Sequence, residues 1–143
     1  MPHLYLDRLL STILLLLQLK GISGNCASEY VDRSKCENIV SWNDLRRTIE
    51  YSSESIVLCP FSLTKKETEP AIRVTRGVHI VCQEMGKCII EGPNTHIKIE
   101  SQAPVTIEGI EFSEATSSSL VVSDLSLRFE RQFHEICNCI FAR

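Results

Sequence analysis

Ile80-Val81-Cys82-Gln83-Glu84-Met85-Gly86-Lys87-Cys88-Ile89-Ile90-Glu91-Gly92 is followed closely by Ile97-Lys98-Ile99-Glu100-Ser101-Gln102-Ala103-Pro104-Val105-Thr106-Ile107-Glu108-Gly109. At a 17-residue offset Ile80 meets Ile97, Cys82 meets Ile99, Cys88 meets Val105, Ile90 meets Ile107, and Glu91-Gly92 meets Glu108-Gly109. A weaker echo matches Ile107, Gly109, Ile110 and Phe112 with Ile136, Asn138, Cys139 and Phe141. Upstream, Val57 and Cys59 match Ile80 and Cys82 at 23 residues. Within each run the apolar residues recur every second position. That spacing turns them to one face of a strand, because successive side chains alternate across it.

Short runs of this kind fill the chain from Ile56 onward. They are Ile56–Cys59, Ile72–Val74, Val78–Cys82, Cys88–Ile90, His96–Ile99, Val105–Ile107, Ile110–Phe112 and Leu120–Val122, punctuated by Gly77, Gly86, Gly92-Pro93-Asn94, Pro104 and Gly109. Repeated short strands with unequal spacing predict a solenoid, in which equivalent strands stack in parallel while corner loops vary in length. An antiparallel sandwich is the competing architecture. It would show tight hairpin signals such as Asn-Gly or Asp-Gly, and neither dipeptide occurs. The expected fold is therefore an all-β solenoid of stacked parallel strands. The stacked pattern places Ile80, Ile90, Ile97, Ile99, Ile107, Ile110 and Phe112 inside, and His79, His96, Lys98, Glu91 and Glu108 outside.

One segment has a different period. In Ile39–Tyr51, Ser41 is positioned to cap a helix with Asp44 in its first turn. Val40, Leu45 and Ile49 form one face, with Trp42 near its start. The expectation is a short amphipathic helix.

The amino terminus reads as a secretory leader over residues 1–24. A short polar start holds Arg8. An apolar run from Leu9 to Leu19 comes next, and small residues Gly21, Ser23 and Gly24 close it. This is the order of an exported leader. The run has about 11 residues, where a membrane span needs about 20. An uncleaved anchor is the alternative, and Lys20 favours it by interrupting the small-residue region. No later segment is apolar enough to cross a bilayer. The domain expectation is thus 1–24 signal peptide, 25–55 Cys-bearing segment and capping helix, and 56–143 coils.

The chain carries Lys+Arg 15 against Asp+Glu 18. The leader holds Arg8, Lys20 and Asp7, so residues 25–143 carry 13 basic and 17 acidic side chains, a net of −4. Basic pairs occur at Arg46-Arg47 and Lys65-Lys66 without a longer block, which argues against nucleic acid as a partner. No Asn-x-Ser/Thr acceptor is present. Seven cysteines lie beyond the leader: Cys26, Cys36, Cys59, Cys82, Cys88, Cys137 and Cys139. In an oxidising compartment bridges are expected, and an odd number leaves at least one thiol over. The favoured pairs are Cys82–Cys88, across the turn between two strands, and Cys36–Cys59, tying the helical segment to the first coil. Cys59–Cys82 competes if their strands stack in register. Cys137 and Cys139 are held too far apart on one strand face to bridge each other. A zinc site from His134, Cys137 and Cys139 lacks a clean second ligand pair.

The runs Leu58-Cys59-Pro60, Val78–Cys82, Cys88–Gly92 and Val105–Ser113 resemble those of secreted right-handed parallel β-helix proteins with a pectin-lyase-like fold. Val105-Thr106-Ile107-Glu108-Gly109-Ile110-Glu111-Phe112 is similar to a recurrent coil of that family. The resemblance spans about residues 39–143 and reports strand stacking. It implies a right-handed parallel β-helix (solenoid) of about three coils, with the helix at 41–51 as the element that caps its amino end. It implies a family whose enzymes act on acidic polysaccharides, lyases through clustered carboxylates, Ca²⁺ and an Arg base, and hydrolases through grouped Asp. This chain has only Asp7, Asp32, Asp44 and Asp124, none adjacent. Calcium wants six to eight oxygens, and glycoside hydrolysis wants a carboxylate pair at fixed separation. Glu91 and Glu108 are the only repeat-equivalent acids beside glycines. No catalytic residue, metal or cofactor is therefore assigned.

Three function classes remain. The leading one is a secreted non-catalytic β-helix module with an extracellular, wall or surface role. The others are a polysaccharide-active enzyme of the pectin-lyase type, in intact or degenerate form, and a small disulfide-bridged secreted ligand. Cys139–Arg143 reads as a strand without a cap, so the expected partners are an extracellular polysaccharide or a protein that completes that end.

Overall fold

In the computed structural model the described residues are 30–52, 55–123 and 134–142. The leader over 1–24 lies outside them, as does Cys26. The chain makes repeated passes through three sheets. The first pass contributes β1 (Ile56–Leu58), β2 (Phe61–Thr64) and β3 (Ile72–Val74). The second contributes β4 (Val78–Cys82), β5 (Cys88–Glu91) and β6 (Ile97–Ile99), and the third β7 (Val105–Glu108), β8 (Ile110–Ser113) and β9 (Leu120–Val122). β10 (Glu135–Cys137) and β11 (Ile140–Ala142) begin a fourth.

Each strand pairs with the strand three elements on. The sheets are β1-β4-β7-β10 (sheet A), β2-β5-β8-β11 (sheet B) and β3-β6-β9 (sheet C). Every pairing between these strands is parallel. The described chain is all-β apart from one short helix. Strands of three to five residues suffice because each is paired within a three- or four-stranded sheet, with β4, β5, β6, β7 and β8 supported on both sides, as an isolated ribbon of that length would not be.

The 17-residue repeat is not the stacking register. Ile80 pairs with Ile107, Cys88 with Ile110, and Ile97 with Leu120. A 17-residue step carries Ile80 from sheet A to Ile97 in sheet C, and Ile90 from sheet B to Ile107 in sheet A. These strands bury alternate positions whichever sheet they join. Similarity of pattern therefore cannot distinguish a neighbour above from a neighbour around the core. The upstream match is also off by one: Val57 pairs with Val81, and Leu58 with Cys82. The downstream echo is the true register, with Ile107 on Ile136 and Phe112 on Phe141. Gly109 (φ 74°) and Asn138 (φ 51°), both left-handed, turn the equivalent corners between sheets A and B. Glycine and asparagine are the residues that adopt this conformation at least cost.

Ile80, Ile90, Ile97, Ile99, Ile107, Ile110 and Phe112 are all fully buried, in one core shared by the three sheets. The helix α1 (Trp42–Tyr51) packs beside β3. Ser41 is its N-cap, its hydroxyl accepting from the Asp44 N–H at 3.1 Å. Trp42, Leu45 and Ile49 bury one face, and the Trp42 indole N–H donates to Pro70 O at 3.0 Å. Val40 does not join that face. It precedes the cap, outside the helix, and is exposed. β2 has no counterpart in the sequence reading, because Pro60 immediately before it looks like a terminator.

Candidate functional site

Strand alternation makes His79, Val81, Thr106 and Glu108 the outer face of sheet A, since Ile80, Cys82 and Ile107 point inward. Yet Val81 and Glu108 are buried, at 0% and 6% exposure. The cover is the segment 30–38, which straps this face. The Arg33 guanidinium reaches Glu108 Oε1 at 2.6 Å, and Gln83 Nε2 donates to Arg33 O at 2.9 Å. Glu37 then forms a parallel bridge to Leu58, its N–H donating to Val57 O at 2.8 Å and its carbonyl accepting from Cys59 N at 3.0 Å. Glu108 Oε2 lies 3.4 Å from His79 Nε2. Arg33, Glu108 and His79 thus form one largely buried polar cluster. Glu108 faces outward as expected, but it is not solvated, because a remote segment folds over it. His79 is half-buried beside it.

The two repeat-equivalent acids do not meet. Glu91 ends β5 in sheet B, opposite Thr64, whereas Glu108 ends β7 in sheet A, opposite Val81. His79 and His96 are likewise separated, His79 within β4 and His96 ahead of β6 in sheet C. His96 is not outside. It precedes its strand, where alternation has no hold, and its ring is fully buried. Nε2 bonds the Gly92 carbonyl at 2.9 Å, and the ring stacks on Phe112, which stacks in turn on Phe141. Burial pulls its pKa below the ordinary 6.5, opposed by the Gly92 bond and helped by the neighbouring Lys65 charge.

Lys65 is among the largest fully buried side chains of the described residues, 2% exposed. Its ammonium donates to Lys66 O at 3.3 Å and Pro93 O at 3.4 Å, and lies 6.0 Å from the centre of the Trp42 ring. A signal for this is present in the sequence. Lys65 continues the inward phase of Phe61 and Leu63 along β2. The Lys65 backbone is also crossed closely by Gly92 (φ 114°), where a Cβ would overlap the Lys65 carbonyl oxygen. Arg33, by contrast, sits in an irregular segment with no periodicity to reveal its partner.

Both favoured cysteine pairs sit at disulfide distance. Cys36 and Cys59 have Cα atoms 5.0 Å apart, and Cys82 and Cys88 5.8 Å. The Cys59–Cys82 alternative fails because Leu58, not Cys59, lies opposite Cys82. Cys139 is a free thiol, and desolvation pushes its pKa up. His134 accepts a hydrogen bond at Nδ1 from Val105 N. Among the described residues no three His, Cys, Asp or Glu side chains converge to hold a metal ion.

Clefts open at several places on the surface. One of about 870 Å³ lies between the Glu114–Leu120 loop and Phe141. Another of about 480 Å³ lies beside β3 and β6, lined by Lys65, Arg73 and Lys98 with Thr95 and Ser117. A further one, about 430 Å³, lies between the strap and β1. In the cleft beside β3, Arg73 is already paired with Glu100 at 2.6 Å, and Glu67 and Glu69 share the lining.

No family model, curated protein or solved structure matches this chain. Among the described residues no helix is long and apolar enough to cross a membrane. The two cysteine pairs at disulfide distance are consistent with an extracellular protein.

Proposed function

We propose that this chain is a secreted, non-catalytic right-handed parallel β-helix module with an extracellular, wall or surface role. The observation that carries the reading is the pairing of each strand from β1 to β8 with the strand three elements on, always parallel, around one core. Parallel strands joined by a crossover within one sheet are right-handed in about 98% of cases, which supports the handedness. The likeness to pectin-lyase-like proteins rests on the coil pattern of Val105–Phe112. The non-catalytic part rests on how the acids are used. Glu108 is held by Arg33, Glu100 by Arg73, and the Glu69 carboxylate accepts from Lys66 N at 2.7 Å. These are carboxylates committed to holding loops and straps. The expected partners are an extracellular polysaccharide or a protein that pairs with β9, β10 and β11, where Val122, Ile140 and Phe141 are exposed.

Expression with the native leader tests the compartment. The protein should appear in a secretory fraction with its first ~24 residues removed, and an intact amino terminus in the cytosol would refute export. Assay on polygalacturonate, with and without Ca²⁺, tests the role. No turnover is expected, and product formation lost on changing Glu91 or Glu108 would establish the enzyme reading instead.

A further inference from the structure

We propose that residues 30–38 are a strap latched by the Cys36–Cys59 disulfide, and that a dithiol reductant releases it without opening the core. The two cysteine pairs differ in access. Cys82 and Cys88 are 0% exposed, whereas Cys36 and Cys59 are both half-buried at the surface. Thiol–disulfide exchange requires the attacking thiolate to reach a sulfur, so access sorts the two bonds kinetically. The reduced form also has a partner waiting. Gln83 Oε1 lies 3.1 Å from Cys36 Sγ, placed to accept from the thiol that reduction creates.

Among the described residues the remaining tethers are noncovalent and few. The Arg33 side chain is 36% exposed and pairs at 2.6 Å with Glu108, which is 7% exposed. Beyond it the strap holds through the Gln83–Arg33 bond and the bridge at Glu37. Ile39, buried, is the first residue anchored in the core. Release would free Val57 O and the Cys59 N–H on the edge of sheet A and uncover Glu108, which Arg33 now covers. The exchange balances as two steps. A thiolate of the dithiol attacks one sulfur and expels the other as thiolate, and the second thiol then closes the reductant into its own disulfide. Two electrons and two protons pass to Cys36 and Cys59.

The inference rests on the disulfide and the strap geometry, and stands whether or not the protein has the extracellular role proposed above. The test uses the oxidised full chain with Cys139 first blocked by an alkylating agent. It is then treated with dithiothreitol under native conditions, and newly freed thiols are labelled with a reagent of different mass and mapped. Cys36 and Cys59 should be labelled on the order of ten-fold faster than Cys82 and Cys88, or more. Hydrogen exchange on the same sample should show protection lost at the Glu37 and Cys59 amides and kept through β5, β7 and β8. A double variant, Cys36→Ser with Cys59→Ser, should give that exchange pattern without reductant. Equal or inverted labelling rates would overturn the proposal. So would unchanged protection at Glu37 and Cys59 after reduction, or loss of protection throughout the core.

Discussion

His96 is the residue whose burial has the clearest consequence in solution. The unfolded chain takes up a proton on this ring near 6.5, while the folded chain keeps it neutral to lower pH because burial disfavours the charge. Between the two values the unfolded state binds more protons, so stability is full above 6.5 and declines as pH falls toward the lowered folded value. The midpoint of urea unfolding should therefore fall between about pH 7.5 and about pH 5 by more in the native protein than in His96→Phe. Equal slopes for the two would show that the ring is solvated in the folded state. Ile107 tests the inward assignment directly. It is 0% exposed between Ile80 and Ile136, and Ile107→Ala should cost about 2–5 kcal/mol, with a cavity left behind. A loss well under 1 kcal/mol, measured by the same denaturation, would place it outside a packed core. Alternation alone makes Ile107 legible. It fails for His96, which lies before its strand, and for Glu108, whose cover comes from Arg33, 75 residues away.

At the scale of elements, most strands and the helix are readable because each carries its period in a few consecutive residues. The register is not, because it depends on which strands meet, and Ile80, Ile97 and Ile107 look alike to any local pattern. Corners recover part of it. Gly109 and Asn138 mark the same turn on successive passes, and their alignment gives the correct pairing of Phe112 with Phe141. β2 is hidden by Pro60, which ends nothing here because it sits between strands. The helix α1 owes its start to Ser41, whose hydroxyl satisfies the Asp44 N–H, one of the first-turn donors that have no partner within a helix. Ser41→Ala should cost about 1 kcal/mol. Ser41→Asp should restore most of it, since a carboxylate accepts the same bond and suits the positive helix end. Both are read as shifts in thermal midpoint, and no loss in the alanine variant would mean that packing of Trp42, Leu45 and Ile49 alone holds the helix.

Across the whole molecule, strands stacked in parallel give each pass support only from the passes above and below it, so stability is close to a sum of nearest-neighbour terms. Those terms are unequal along the stack. β4, β5, β7 and β8 each have a paired strand on both sides, and Ile80, Ile90, Ile107 and Phe112 on them are fully buried. At one end α1 and the Glu37 bridge lie against β3 and β1. At the other, β9 and β11 show few buried positions, and Phe141 is 53% exposed although one ring face stacks on Phe112. Local opening follows such differences, with free energies that range from near zero at poorly packed ends up to the global value in the core. Native-state hydrogen exchange should accordingly grade along the stack. The amides of β4, β5, β7 and β8 should exchange slowest and those of Ile140–Ala142 fastest, with the β1 edge intermediate. Phe141→Ala should then cost less than Ile107→Ala despite removing a larger side chain, because half of the Phe141 surface is already in water. Uniform protection from β1 to β11 would require β9, β10 and β11 to be covered in solution, and would point to a partner seated on them.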